Sequence, residues 1–313
     1  MSGQPTGEAI RSLAQLQRAA SAGPRRRVAV AWATGCETLK AAVLAREARL
    51  AEPVLVGPER EIRHGLEEIG SDPDAFEIHE SPDPVSAAAS CVARVRAGEA
   101  GLLLKGAVST AQLMRAVLDP EAGLRTGRLL SDVFLFDFVR SPTPRIVGIT
   151  DGGVIPKPDF AQKDRILRNA VSAFQALGVH RPAVALLAAV ETVSDAFPST
   201  GEAARLAKRI SDDAECKCEV DGPLAVDLAL SAEAAAAKGF TSPIAGRADI
   251  LLFPDLESAN MSAKSVEYVA GLEPAHCVVG ATAPVLIPSR SESAGARLSS
   301  IAFGTLLAGR PFD

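Results

Sequence analysis

The strongest constraint on this chain is a rhythm: short, almost purely apolar runs recur along it, with stretches of helical periodicity between them. The runs are VAVAW (28–32), PVLVG (53–57), LLLKG (102–106), VFLFDF (133–138), RIVGIT (145–150), AVALLAAV (183–190), DILLF (249–253) and PVLIP (284–288). A strand with one wet face alternates apolar and polar residues, whereas a run that is apolar at successive positions must be covered on both faces. Helical crossovers between parallel strands supply that cover, so the rhythm predicts a three-layer α/β/α architecture with largely parallel sheets. The intervals agree with this. In residues 163–178, Ile166, Leu167, Ala170, Val171, Phe174 and Leu177 fall on one helical face, and Gly178 stands where a helix stops. Residues 201–210 read as a second helix.

A chain of 313 residues accommodates two such domains. Residues 119–130 (DPEAGLRTGRLL) form a polar connection, and SPTP at 141–144 carries two prolines that favour extended backbone. The joint is expected there. It gives a first α/β domain over 1–142, a second over 143–287, and a C-terminal segment 288–313 whose helix, at 293–308, returns to the first domain.

Lys and Arg number 33 against 38 Asp and Glu, a formal charge of −5, so an anionic ligand must be held by local cations and not by a general basic field. Eleven Phe, one Trp and one Tyr are too few and too scattered for a base-stacking surface, and no nucleic-acid partner is expected. No apolar stretch approaches the roughly 20 residues of a membrane span. The opening segment MSGQPTGEAIRSLAQLQRAASAGPRRR is amphipathic, carries an acid at Glu8 and lacks the apolar block of a secretory signal, which reads as a cytoplasmic start. Five cysteines are an odd number with no CxxC spacing, and Cys216 and Cys218, alternating with charges in ECKCEV, read as strand residues.

Ligands of open parallel sheets gather beyond the carboxyl ends of the strands, so the polar residues after each run come under scrutiny. They are Lys105-Gly106 with Ser109-Thr110, Asp151-Gly152-Gly153, Glu191-Thr192, Asp255 with Glu257 and Asn260, and Ser289-Arg290. Neither a GxGxxG after the first strand nor a GxxxxGK[ST], HExxH or GxSxG motif is present. The four histidines, His64, His79, His180 and His276, stand alone in surface-like or loop contexts, so neither a catalytic triad nor a His-rich metal site has material to build on.

The segments LLLKGAVSTAQLMRAVLDPEAGLRTGRLLSDVFLFDF, LLAAVETVSDAFPST, CEVDGPLAVDLALSAEAAAAKGFTSPIAGRADILLFPDLESANMSAKSVEYVAG and VVGATAPVLIPSR, in that order, resemble the phosphate acetyltransferase and phosphate butyryltransferase family, nearer the butyryl branch. The match spans about residues 25–310. The resemblance implies an isocitrate-dehydrogenase-like two-domain fold and transfer of a short acyl group between coenzyme A and phosphate. Coenzyme A is then a substrate, with no tightly bound cofactor and no catalytic metal, and the chain works as a homodimer or higher homo-oligomer on small molecules.

The family's Ser-Arg pair corresponds to Ser289 and Arg290. A guanidinium binds phosphate bidentately and steadies an oxyanion, and a serine hydroxyl hydrogen-bonds the sulfur of coenzyme A. The acetyl branch places an aspartate seven residues beyond the serine, where this chain has Ala296; the butyryl branch has an acid at the third position, here Glu292, as the candidate base or a solvated first-turn acid. Lys105, Thr110 and Arg115 resemble the first domain's phosphate contacts, and Glu257, Asn260 and Lys264 the second domain's substrate contacts. Ala259 and Ala263 replace the family's usual Gly and Tyr, in a loop whose change enlarges an acyl pocket or alters the substrate. Asp221-Gly222-Pro223 reads as a turn that opens a helix. Two further readings share the fold: a coenzyme A-binding relative without activity, and a metal-dependent NAD(P) decarboxylating dehydrogenase.

Overall fold

The structure is a computed structural model and describes residues 8–141 and 143–309. The chain forms two compact units. The first unit holds Ala14–Arg128 and takes the chain up again from Glu273; the central unit holds Leu129–Leu272 with the chain up to Leu13.

The chain runs through α1 (Leu13–Ala22), β1 (Arg26–Ala31), α2 (Cys36–Glu47), β2 (Ala51–Gly57), α3 (Glu59–Glu68), β3 (Glu77–Glu80), α4 (Pro84–Arg96), β4 (Leu102–Lys105) and α5 (Thr110–Val117) in the first unit. After the central unit it adds β10 (Ala275–Val279), β11 (Val285–Leu286) and α11 (Ala294–Leu307). The strand order here is β3-β2-β1-β4-β11-β10. Val28 on β1 pairs with Pro53 on β2 and Leu102 on β4, both parallel, and only β10 runs antiparallel, Val278 facing Val285. The interior strands are the apolar runs of the sequence. The segment EIHE of β3 has too little apolar content to be read as a strand; as the edge strand it wears its glutamates outward, where they blunt the open edge. The final helix α11 packs against α2, β10 and β11.

The central unit contains β5 (Ser131–Phe138), β6 (Arg145–Thr150), α6 (Phe160–Ala176), β7 (Ala183–Leu187), α7 (Pro198–Ser211), β8 (Glu219–Leu224), α8 (Val226–Leu230), α9 (Ala232–Ala237), β9 (Ile250–Leu252) and α10 (Leu256–Tyr268). Its order is β5-β6-β9-β7-β8, parallel except for the β5/β6 pair. Phe134, Phe136, Val147, Ile149, Leu251 and Ile244 are among the side chains of its core.

Two expectations change here. Strands β5 and β6, on either side of residues 141–144, pair antiparallel, Phe138 with Arg145, inside the central unit, so no joint between domains falls there. Proline-bearing extended backbone serves between paired strands or between domains, and the partner that decides is nonlocal. The division falls instead at 128/129 and 272/273. Residue 142, residues 1–7 of the expected cytoplasmic start and residues 310–313 of the C-terminal segment lie outside the described residues.

Asp221-Gly222-Pro223 is likewise not the turn before a helix but the body of β8. A β-carbon on Gly222 would lie 2.6 Å from Leu186 Cβ and 2.8 Å from its carbonyl oxygen, so glycine permits the close approach to β7. An edge position spares Pro223 the ladder hydrogen bond it cannot donate.

Candidate active site

The site in the first unit begins with the way the chain leaves β4. A β-carbon on Gly106 would lie 2.3 Å from the carbonyl oxygen of Trp32 and 2.7 Å from that of Ala31, so only glycine lets this backbone pass the end of β1. The Gly106 N–H donates to the Ala31 carbonyl at 2.9 Å. Lys105, one residue earlier, is thereby held at the strand end with 4% of its surface exposed. Burial lowers the pKa of its ammonium, and the Arg297 guanidinium lowers it further; Arg290 adds to that effect and Glu292 opposes it.

The turn before α11 supplies the other groups. Ser293 caps the helix, its Oγ accepting from the Ala296 N–H at 3.0 Å, so Ser289 is free of that duty. Ser289 is half-buried, with its Oγ 3.1 Å from Ser291 Oγ. Its backbone N–H donates to Glu292 Oε1 at 2.7 Å, while Glu292 Oε2 lies 3.2 Å from His276 Nε2. Glu292 is only 3% exposed. The sequence expectation of a base or a solvated acid therefore meets a buried carboxylate with both oxygens engaged.

Arg297 reaches back from α11 to fix the same turn. Its Nη2 donates to the Ser289 carbonyl at 2.8 Å and its Nε to the Glu292 carbonyl at 3.3 Å. The side chain is buried, 4% exposed, and its Nη1 has no hydrogen-bond partner among the described residues. Burial lowers its pKa, with Glu292 and then Glu37 opposing. Glu37, in the first turn of α2, accepts from the Ala294 N–H at 2.8 Å and from Lys40 at 3.0 Å. Arg290 is exposed, and its guanidinium makes no hydrogen bond or ion pair among the described residues. Arg297 and Arg290 thus both act on Lys105 with Glu292 opposing, and Glu292 and Glu37 oppose at Arg297, where Glu37 is already paired with Lys40; three cations against two carboxylates favour an anion.

On α5 the cap is Ser109, which forms a reciprocal capping box with Gln112; Thr110 is the exposed first helical residue and Arg115 an exposed last-turn cation. Neither Thr110 nor Arg115 joins the ion-pair and hydrogen-bond network of the cluster.

In the central unit, Asp151 follows β6 and is buried in a nest of amides. Oδ1 accepts from the N–H groups of Asp132 (3.1 Å), Gly153 (3.0 Å) and Val154 (3.1 Å), and Oδ2 from that of Ile155 (2.9 Å). Burial pushes its pKa up to about 6, and the neighbouring Asp132 pushes in the same direction. Asn260 on α10 donates to the Gly152 carbonyl at 2.9 Å, tying that helix to the turn after β6. Asp255 caps α10 by accepting from the Ser258 N–H at 2.8 Å. Lys264 pairs with Glu267 at 2.6 Å and lies over the Tyr268 ring, and Glu257 is exposed in the first turn. Ala259 and Ala263 do not sit in a loop: they are buried core positions on the inner face of α10. Asp227 pairs with Lys238 at 2.9 Å.

Two residues escape the sequence reading. His276 is not a loop histidine but a buried residue of β10, facing Glu292. His64 and His79, by contrast, lie beside Glu68 and Glu77 nearer the solvent. Arg297 left a signal: it is the one charge in the helix AGARLSSIAFGTLL, and a lone cation in a helix of small and apolar residues needs a partner for burial.

Fold and site together define a mostly parallel α/β enzyme whose first unit presents an under-compensated cluster of cations beyond its strand ends. Residues 80–304 match the family described as phosphate acetyl/butaryl transferase. A phosphate butyryltransferase from Clostridium beijerinckii is 40% identical over 288 residues, which cover 92% of this chain and 94% of that one. A phosphate acetyltransferase from Rhizobium meliloti is 41% identical over 273 residues, 87% of this chain and 86% of that one. The crystal structure of a branched-chain phosphotransacylase from Enterococcus faecalis superposes with a TM-score of 0.80 at 27% identity, covering 91% of this chain and 100% of that chain. The chain belongs to the phosphate acetyl/butyryltransferase family.

Proposed function

We propose that this enzyme interconverts a short-chain acyl-CoA and phosphate with an acyl phosphate and coenzyme A, and that the cation cluster of the first unit holds the phosphoryl group. The observation that carries this reading is the buried pair Lys105 and Arg297, each lowering the charge tolerance of its surroundings, with Arg297 Nη1 lacking a protein partner. A dianion relieves both costs at once. Arg290, exposed and unengaged, takes the phosphoryl oxygens and the negative oxygen that develops on the carbonyl.

The reaction needs no covalent enzyme intermediate. The sulfur of coenzyme A attacks the acyl carbonyl, the carbon–oxygen bond to phosphate breaks, and the thiol proton leaves with the product hydrogen phosphate. Ser289 Oγ, beside Ser291 Oγ, hydrogen-bonds the sulfur as its charge grows. In this reading Glu292 is a positioning residue: it holds the Ser289 backbone and His276, and the phosphate carries the proton. Thr110 and Arg115 add contacts to substrate phosphates from α5. Glu257, Asn260 and Lys264 stay in the proposal as substrate contacts on the strength of their family positions alone.

A homo-oligomeric state and a cytoplasmic location belong to the same proposal. Met261, Tyr268 and Val269 form an exposed apolar stripe along and just past α10 that suits a second copy of the chain. The five cysteines are free thiols, as in reducing compartments, and no described helix is long and apolar enough to cross a membrane.

The test is consumption of free thiol when the purified protein meets coenzyme A with acetyl or butyryl phosphate, followed as thioester formation. Steady turnover with at least one of them is expected. Coenzyme A binding with no turnover on any short acyl phosphate overturns the catalytic reading in favour of a binding-only relative.

A further inference from the structure

Away from this site, the segment ECKCEV has a use that strand alternation does not explain. Were it a strand, Cys216 and Cys218 would stand about 6–7 Å apart along one face. Instead the chain makes a tight turn just ahead of β8: the Cys218 N–H donates to the Cys216 carbonyl at 2.8 Å, and the Cys216 N–H to the Asp213 carbonyl at 3.2 Å. The turn brings the two sulfurs to 3.7 Å. Cys216 is half-buried and Cys218 is buried. Of the other thiols, Cys36 is exposed and Cys91 and Cys277 are buried.

We propose that Cys216 and Cys218 are a modification site: a dithiol that hydrogen peroxide oxidises to a disulfide, with Cys216 as the attacking and Cys218 as the resolving thiol. It lies at the amino end of β8, in a unit whose parallel strands β6, β7 and β9 direct their carboxyl ends the other way, toward Asp151. The surroundings suit these roles. The hydrogen bond with Cys218 lowers the pKa of the Cys216 thiol, and the guanidinium of Arg168, held by Asp213 at 2.7 Å and Asp164 at 3.0 Å, adds to that effect, with burial and those two carboxylates opposing. Arg181 donates to the Cys218 carbonyl at 3.3 Å and steadies the turn.

The electrons and atoms balance with peroxide alone. The Cys216 thiolate attacks one peroxide oxygen, the O–O bond breaks, and the departing hydroxide takes a proton to become water, leaving a sulfenic acid. The Cys218 sulfur then attacks the Cys216 sulfur, the S–O bond breaks, and the hydroxyl leaves with the Cys218 proton as a second water. Peroxide gains the two electrons that the two thiols lose.

The test treats the full-length protein with an equivalent of hydrogen peroxide, then combines intact-mass measurement, thiol alkylation under denaturing conditions and peptide mapping. Expected are a loss of about 2 Da, protection of two of the five cysteines, and a link within the peptide that spans residues 216–218. Cys218→Ser is expected to gain about 16 Da as a sulfenic acid at Cys216 that a cyclic 1,3-dione traps, and Cys216→Ser to give neither product there. In untreated native protein, a trivalent arsenical should bind one equivalent across the pair and lose that binding in either serine variant. The proposal is overturned if Cys36 is oxidised while the pair still alkylates as two thiols, if Cys218→Ser yields the same disulfide-mass product, or if the arsenical does not bind.

Discussion

The turn after β4 in the first unit and the turn after β6 in the central unit end parallel strands in opposite electrostatic ways. Asp151 is a buried charge provided for by backbone: three amides of its own loop and that of Asp132 on β5 converge on its two oxygens. Lys105 is a buried charge left wanting, with Arg297 and Arg290 raising the local potential against Glu292. A saturated charge stiffens architecture, while an under-compensated one of consistent sign invites a ligand. The contrast explains why the phosphoryl group is assigned to the first unit, although both turns looked equally polar in the sequence.

The comparison is most exposed to failure at Arg290. Because its guanidinium makes no hydrogen bond or ion pair among the described residues, Arg290→Ala is expected to cut kcat/KM by about 10²–10³ while leaving the urea midpoint unchanged; steady-state kinetics beside an unfolding curve reads both. A normal rate in that variant sinks the site assignment.

Arg297 should behave differently because it does two jobs. Arg297→Met removes the clamp on the carbonyls of Ser289 and Glu292 and the buried positive charge together. Activity is expected to fall with a stability loss of about 3 kcal/mol, and the rise in thermal midpoint that added phosphate is expected to give the parent protein should be absent from the variant. If the variant keeps the phosphate-induced shift, Arg297 is structural only.

The smaller effect belongs to Asp151. Its pKa rises from 3.8 unfolded to about 6 folded, so between those values the native state holds a proton that the unfolded state has released. That contribution is fully present below about pH 4 and is lost as the pH climbs through 6, an amount on the order of 2–3 kcal/mol. Asp151→Asn keeps the size of the side chain and removes the titration. The difference in unfolding free energy between parent and variant should therefore drift across pH 4–6 and go flat above it, which chemical denaturation at successive pH values measures. A constant difference would show that burial does not act on this carboxyl as described.

Much of the fold is readable from local chemistry. The apolar runs became β1, β2, β4, β5, β6, β7, β9 and β11, because a strand buried on both faces needs no partner to betray it. The strands that hid are the ones whose environment is unusual. The segment EIHE is polar because β3 is an edge, and EVDGPL contains turn residues because β8 is an edge too. The AHCVV run of β10 is absent from the apolar runs read in the sequence, and its histidine, read there as a surface or loop residue, is buried against Glu292, sixteen residues away.

The candidate site divides along the same line. Ser289, Arg290 and Lys105 are visible as polar residues at strand ends, the family resemblance points to the same residues, and it alone adds Glu292. Their condition is not visible: that Glu292 is buried and occupied, that Arg297 folds back from the next helix, and that Ala259 and Ala263 are core and not pocket.

By itself, then, the order of residues determined the α/β architecture, the parallel strands and the chemical types available at their ends, since hydrophobic periodicity and glycine placement act over a few residues and are written locally. Only the tertiary structure decided which buried charges are satisfied and which are not, and which two cysteines meet. Those outcomes depend on the distances between side chains of different elements, and electrostatic and hydrogen-bond energies change steeply over those distances.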